Sequence, residues 1–128
     1  MYKTYLVLGI LLSLIAVVLG AFGAHGLKKM VGADTIAVYQ TGVQYQMYHA
    51  FALLIAGVLY ERFQNNLIIY AGIFFLAGIA FFSGSLYAMA SLKAMNKSIF
   101  PFIGPMTPIG GLFFITGWIL LLFGILKK

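Results

Sequence analysis

Four long apolar stretches, separated by short polar segments, dominate this sequence. They cover residues 4–24, 40–60, 67–89 and 108–126, and the second has a polar lead-in from residue 34. Each is close to the roughly 20 residues that an α-helix needs to cross a hydrocarbon core. None alternates between apolar and polar residues, which excludes barrel strands and leaves helices to satisfy the backbone in lipid. The sequence therefore predicts an all-α, integral membrane four-helix bundle with short loops, in which residues 1–128 form a single transmembrane domain.

The composition agrees with lipid as the main solvent of the chain. Hydrophobic residues make up 63% of the sequence and charged residues only 8%, whereas a soluble domain carries roughly a quarter of charged residues. The net charge of +6 comes from basic residues that stand singly or in pairs between apolar runs, without the dense basic face of a nucleic-acid-binding protein. We expect membrane lipids as partners and no nucleic acid. Because the sequence contains no cysteine, disulfides and thiolate metal sites are excluded.

Local sequence also predicts where the helices begin and end. Gly26 is the predicted C-cap of the first helix, and Asp34 the predicted N-cap of the second. Thr107 followed by Pro108 is typical of an N-cap and first helical residue, so the fourth helix should start there.

The flanking charges do not predict an orientation in the membrane. Four spans place both termini on one side. Each side carries four basic residues, so the positive-inside rule does not decide the orientation. One side holds Lys3, Arg62, Lys127 and Lys128, and the other holds Lys28, Lys29, Lys93 and Lys97.

Small residues recur along three of the predicted helices at spacings that place them on one face. Helices in lipid associate through close packing at such residues, so we assign these stripes to helix packing. They comprise Gly9, Ser13, Ala16, Gly20 and Ala24 on the first helix, Ala77, Ala80, Gly84, Ala88 and Ser91 on the third, and Gly110, Gly117 and Gly124 on the fourth. Trp118 lies near the middle of the fourth span, where its N–H requires a partner.

The segment TGVQYQMYH (residues 41–49) has a high hydrogen-bonding capacity for a membrane helix. On a helical wheel Gln44, Tyr45 and Tyr48 share one broad face, and His49 lies beside it. Gln46 falls on the far side of this set. Because an unpaired polar group in hydrocarbon costs several kcal/mol, we expect the side chains on and beside this face to be mostly buried within protein, namely those of Gln44, Tyr45, Tyr48 and His49. His49 should lie near the polar end of the first helix and the serines of the third.

Two interpretations of this polar segment remain open. In the first, its side chains bond to one another and to neighbouring helices, and so set the register of the second helix. In the second, they line a pocket inside the bundle for a ligand, a headgroup or a proton. We favour the first, because glutamine and tyrosine are neutral and a single histidine is often a hydrogen-bonded core residue. The candidate pocket residues are His49, Gln44, Tyr45, Gln46, Tyr48, His25, Ser83 and Ser85.

The ionisable residues do not suggest a metal, cofactor or catalytic site. His25 ends the first helix, whereas His49 lies about 13 Å deeper at 1.5 Å per residue, and this offset disfavours a shared haem or metal ion. Asp34 and Glu61 lie at helix ends on opposite sides. No set of nucleophile, base and acid is present. We expect no bound metal, no cofactor and no catalytic residue.

Four segments of the sequence together resemble a known family. GAFGAHGL (residues 20–27), YQMYHAFALL (45–54), FFSGSLY (81–87) and TPIGGLFFITGWILL (107–121) are similar to the YgdD/YwdK-like family of small multi-pass membrane proteins of unknown function. The resemblance covers all four helices and implies a four-helix protein of the bacterial plasma membrane. It implies no activity, substrate or catalytic residue.

Two classes of function follow from these observations. The first is a structural or partner-binding membrane protein, as a homo-oligomer or with other membrane proteins. The alternative is a small oligomeric transporter with a polar pocket around Gln44, His49 and Ser83. Small exporters of similar size depend on a carboxylate buried within a span, and here Asp34 and Glu61 lie at helix ends. We therefore favour the first class.

Overall fold

Four long helices joined by short connections make up the computed structural model, which describes residues 1–127. The helices cover Lys3–Ala24, Ala33–Phe63, Asn66–Ala94 and Ile103–Leu126. A short 3₁₀ turn, Leu27–Lys29, follows the first helix. The described residues contain no strand. The prediction of an all-α four-helix protein is confirmed.

The second helix differs from the others in length and in polarity. The first helix with its 3₁₀ turn, the third and the fourth are long and apolar enough to cross a membrane. The second has 31 residues but is more polar, and it is not among the helices of residues 1–127 that meet this criterion. It lies antiparallel along the first helix, from a bond between the Tyr2 N–H and the Gly57 carbonyl (2.8 Å) to one between the Tyr39 hydroxyl and the Leu19 carbonyl (2.5 Å). Residues 39–57 of the second helix therefore span the same length of the bundle as residues 2–19 of the first.

Both ends of the chain lie at the same end of the bundle, as four antiparallel helices require. The first helix begins beside Gly57. Asn65, which caps the third helix by accepting the Leu67 N–H, also donates to the carbonyl of Gly124 near the end of the fourth (2.6 Å). The first helix packs along the second, the second against the third, and the third along the fourth. The largest fully buried side chains, Phe75, Leu53 and Ile68, belong to one hydrophobic core between these helices.

The outer surfaces of the first and fourth helices are apolar. Large aliphatic side chains there are well exposed, which is unusual for a soluble monomer and normal for a helix that faces lipid. They include Ile10, Leu14, Val17 and Val18 on the first helix, and Leu112, Ile115, Ile119 and Leu122 on the fourth.

The stripes on the first and fourth helices lie against neighbouring helices. A Cβ built on Gly9, Gly117 or Gly124 would come within 2.6 to 2.8 Å of a side chain on the adjacent helix, so the backbones approach closely there. Ala16 is buried, and the Ser13 hydroxyl donates to the Gly9 carbonyl (2.8 Å). Packing is looser at the C-terminal end of the stripe on the first helix. A Cβ on Gly20 would lie 3.4 Å from Val43, and Ala24 is exposed.

The third helix contains a π-helical turn, Ile79–Ser83, which the sequence analysis did not predict. The N–H of Gly84 bonds to the carbonyl of Ile79, five residues earlier. This inserts one residue and rotates the following faces by about 100°. The predicted stripe on this helix therefore does not form one packed face. Ala80 and Ser91 are exposed, and no atom of another helix lies within 4 Å of a Cβ built on Gly84.

The predicted start of the fourth helix at Pro108 is wrong. The helix begins at Ile103, which is buried, and Pro108 lies inside it. Pro105 is the third helical residue, where the missing N–H would have had no intrahelical partner. Thr107 does not cap the helix, because its hydroxyl bonds to that of Ser85 at 2.6 Å.

Two further predicted caps lie one or two residues from the observed ones. The first helix ends at Ala24 with His25 as its C-cap, and Gly26 has right-handed helical dihedrals and opens the 3₁₀ turn. The second helix begins at Ala33, so Asp34 is in its first turn, where its carboxylate accepts the Thr35 N–H (2.9 Å). A carboxylate there still interacts favourably with the helix dipole.

Candidate functional site

Gln46 joins three helices near the middle of the bundle. Its side chain is 3% exposed. The amide nitrogen donates to the Leu12 carbonyl of the first helix (2.8 Å), and the amide oxygen accepts from the Tyr87 hydroxyl of the third (2.7 Å). Both ends of the amide are therefore used within the protein. Gln46 lies apart from the predicted polar face, and its own side of the helix is the one turned inward.

His49 is buried, as predicted, between the second, third and fourth helices. Its Nδ1 lies 2.8 Å from the Tyr45 carbonyl and its Nε2 lies 3.0 Å from the indole nitrogen of Trp118. A carbonyl only accepts and an indole N–H only donates, so the imidazole is neutral, with its hydrogen on Nδ1. The ring stacks on Phe114 at a centroid distance of 3.6 Å. Both nitrogens are occupied, and a second proton would oppose the Trp118 N–H.

The neighbours of His49 differ from the predicted ones. We expected the polar end of the first helix and the serines of the third. Instead, aromatic rings of the third and fourth helices surround the imidazole, chiefly those of Phe75, Phe114 and Trp118. The sequence did indicate that the N–H of Trp118 requires a partner, but it did not identify His49.

The two candidate serines bind the π turn to its neighbours. Ser83 is fully buried and donates to the Gly42 carbonyl of the second helix (2.7 Å). Ser85 is also buried and bonds to the Phe82 carbonyl and to the Thr107 hydroxyl of the fourth helix. Each hydroxyl therefore has a hydrogen-bond partner on a neighbouring helix.

Gln44 and Tyr48 turn away from the core, and Tyr45 lies at its edge. Gln44 is exposed, Tyr48 is 54% exposed and Tyr45 is 37% exposed. Within residues 1–127, the side chains of these three residues make no hydrogen bond, although the Tyr45 ring packs on Phe82 at 4.7 Å. The prediction that all three are buried is therefore wrong. Gln44 and Tyr48 lie on the side of the second helix opposite to Gln46, where no helix within residues 1–127 covers them, whereas the Tyr45 ring lies against aromatic rings of the third and fourth helices.

The candidate pocket residues form separate groups rather than one cavity. His25 is exposed at the end of the first helix, with its Nδ1 2.9 Å from the Ala21 carbonyl, and it does not contact His49. Across residues 1–127 no three His, Cys, Asp or Glu side chains are grouped as metal ligands. Sequence reasoning missed Tyr87 and Tyr39, whose hydroxyls bond across helices. A tyrosine near a helix end is typical of the membrane interface, so the sequence did not indicate a hydrogen bond between helices at either position.

Comparison with known proteins decides the family. The family model described as "Protein of unknown function (DUF423)" matches residues 19–111. A UPF0382 membrane protein of Staphylococcus aureus (strain bovine RF122) is 42% identical over 132 aligned residues, which cover 98% of this chain and 97% of the relative. The chain belongs to the DUF423 family.

Other relatives of this DUF423 chain carry the same description. The UPF0382 membrane protein YwdK of Bacillus subtilis is 38% identical over 126 residues, covering 98% of each chain. A UPF0382 membrane protein of Staphylococcus saprophyticus is 40% identical over 130 residues, with the same coverage. No solved structure matches the chain. The resemblance inferred from the sequence is confirmed, and the protein is a membrane protein of a family without an assigned function.

Proposed function

We propose that this chain is a structural or partner-binding protein of the bacterial plasma membrane, without enzymatic activity, that binds a partner helix through the outward face of its second helix. We define the outward face by its residues, which are exposed except for the half-buried Thr41: Ala37, Thr41, Gln44, Tyr48, Phe51, Ile55 and Val58. The observation that carries the proposal is the amide of Gln44, which lies beside the middle of the apolar first helix, is exposed and bonds to no other group within residues 1–127.

The depth of Gln44 follows from the pairing of the first two helices. Gln46 bonds to Leu12, near the middle of the first helix, and Gln44 is about 3 Å further along the same axis. The first helix exposes Leu14 and Ile15 at that level. Lipid tails offer neither donor nor acceptor, so an amide left there costs free energy until a partner binds it.

The polar groups in the interior support a structural role rather than a transport path. Gln46, His49 and Ser83 each bond to groups of a neighbouring helix, and such bonds hold helices in register. The alternative of a transporter needs Gln44, His49 and Ser83 to share a cavity, and this arrangement gives it less support. Partner binding uses the polar groups that the bundle leaves unbonded.

Photo-crosslinking in native membranes tests the proposal. A benzophenone amino acid in place of Tyr48 samples the outward face, and the same amino acid in place of Ile10 is the control. Ile10 is 61% exposed on the first helix and lies at a similar depth, to judge from the Gln46–Leu12 contact. We expect a protein adduct from position 48 and none from position 10. Adducts to lipid alone from both positions would overturn the proposal.

A further inference from the structure

We infer that the partner is a second copy of this chain, which packs in parallel along the outward face so that the two Gln44 amides bond to each other. The inference deepens the proposed function and rests on association through that face.

The chemistry of Gln44 favours a symmetric partner. A two-fold axis places each residue on it opposite its own copy. An amide carries a donor and an acceptor, so two facing Gln44 side chains can form two reciprocal hydrogen bonds with no other polar group. A second copy therefore satisfies the unbonded amide with atoms already present in the chain.

The spacing of the outward face favours a parallel pair. Its residues follow one another at intervals of four, three, four, three, four and three, the interval of the contact positions in a left-handed pair of helices. Crossings of this type are common between membrane helices. In a parallel pair each contact position meets its own copy, and one polar contact position sets the register. Here Gln44 takes that role, and Phe51, Ile55 and Val58 provide the apolar contacts below it.

The surrounding helices leave room for such a pair. Tyr39, Gln46 and Gly57 of the second helix contact the first helix, and Gly42 and His49 contact the third and fourth. All of these lie on the inward half of the helical wheel, about 120° or more from Gln44. The outward face stays exposed along about six turns of the helix.

Disulfide trapping tests both the partner and its direction, because the chain contains no cysteine. Gln44→Cys and Ile55→Cys should each form an oxidised dimer of twice 14.0 kDa in membranes. The control is Leu14→Cys, at the depth of Gln44 on the lipid-facing side of the first helix, and it should stay monomeric. An antiparallel pair would link Gln44→Cys but not Ile55→Cys, since the latter pair would be about 30 Å apart. Equal trapping at Leu14 and Gln44 would overturn the inference, as would the absence of trapping at Ile55.

The strength of association gives a second measurement. Gln44→Leu should raise the dimer dissociation constant in bilayers, measured by energy transfer between labelled copies, by about tenfold, because two interhelical hydrogen bonds are lost. Gln44→Asn keeps the amide and should lose less. Leu14→Ala should leave the constant unchanged. An unchanged constant for Gln44→Leu would overturn the role of the amide.

The Tyr48 crosslink separates failure of this inference from failure of the proposed function. An adduct of twice the chain mass supports the second copy. An adduct with a different protein overturns the second copy while leaving the proposed partner-binding function in place. The absence of any protein adduct overturns both.

Discussion

The two faces of the second helix carry similar side chains in opposite circumstances. Gln46 points inward, and both ends of its amide bond to other helices. Gln44, two residues earlier, points outward and bonds to no group within residues 1–127. The same contrast holds between the buried His49 and the exposed Tyr48. In lipid, therefore, the polarity of a side chain does not predict its burial, because the position of the neighbouring helices decides it.

The fourth helix repeats the contrast with two adjacent glycines. A Cβ on Gly110 would overlap the backbone nitrogen of Phe82 in the π turn, whereas a Cβ on Gly111 would have no atom within 4 Å. These two residues provide the strongest test of inward against outward positions.

We expect the largest effect from Gly110→Ala. The added methyl group meets backbone, which cannot move aside without displacing the π turn, so the free energy of unfolding should fall by about 3 kcal/mol. Gly111→Ala should be neutral or slightly stabilising, because it replaces a helical glycine without a clash. Thermal unfolding in detergent measures both variants. Equal melting temperatures would contradict the close packing at Gly110.

His49→Leu should lower the free energy of unfolding by about 2 kcal/mol, since it leaves the Trp118 N–H and the Tyr45 carbonyl without their side-chain partner. Trp118 is the sole tryptophan, so its fluorescence should change in the same variant. His49→Gln should recover part of the loss, because an amide can also donate and accept. Tyr48→Leu, on the outward face, is the matched control and should alter neither signal. If Tyr48→Leu destabilised the monomer as much as His49→Leu, the inward and outward faces of the second helix would contribute equally to the stability of the monomer, which would contradict the comparison.

The matched glutamines should give a smaller difference. Gln46→Leu should lower the free energy of unfolding by about 1 kcal/mol in dilute detergent, where chains are separated, because the bonds to Leu12 and Tyr87 are lost. Gln44→Leu should stay within about 0.5 kcal/mol of the parent chain under the same conditions. Chemical unfolding at low protein concentration measures the pair. A larger loss for Gln44→Leu would mean that this amide bonds within its own chain.

The smallest expected effect concerns Gly84, which the sequence assigned to helix packing. Gly84 lines an open groove of about 400 Å³ between the third and fourth helices. Gly84→Ala should therefore raise the free energy of unfolding by about 0.5 kcal/mol through helix propensity. Gly117→Ala is the counterpart, and it should be destabilising because its Cβ would lie 2.7 Å from Phe75. A destabilising effect of Gly84→Ala would instead support the predicted packing role of Gly84.

Much of this fold could be predicted from the sequence because it depends on local properties. The length and apolarity of each stretch determine that it is a helix in lipid, and the number of stretches places both chain ends at one end of the bundle. Among the small residues assigned to packing, Gly9, Gly117 and Gly124 lie against neighbouring helices, since helices in lipid have few other ways to associate, whereas Ala24 is exposed. For the candidate site, the sequence identified the polar residues of the second helix and the burial of His49.

The tertiary structure alone decided where those residues point. A helical wheel gives the angle between Gln44 and Gln46, but the direction that faces the protein depends on three helices distant in sequence. The π turn is equally non-local. It lies where Ser83 bonds to Gly42 and where Gly110 meets Phe82, and the residue it inserts rotates the small stripe of the third helix away from its neighbours. The fourth helix likewise begins early because Ile103 is buried, which outweighs the local preference of Thr107 and Pro108. Local propensity sets which segments are helical, and packing between distant helices sets their phase and their ends.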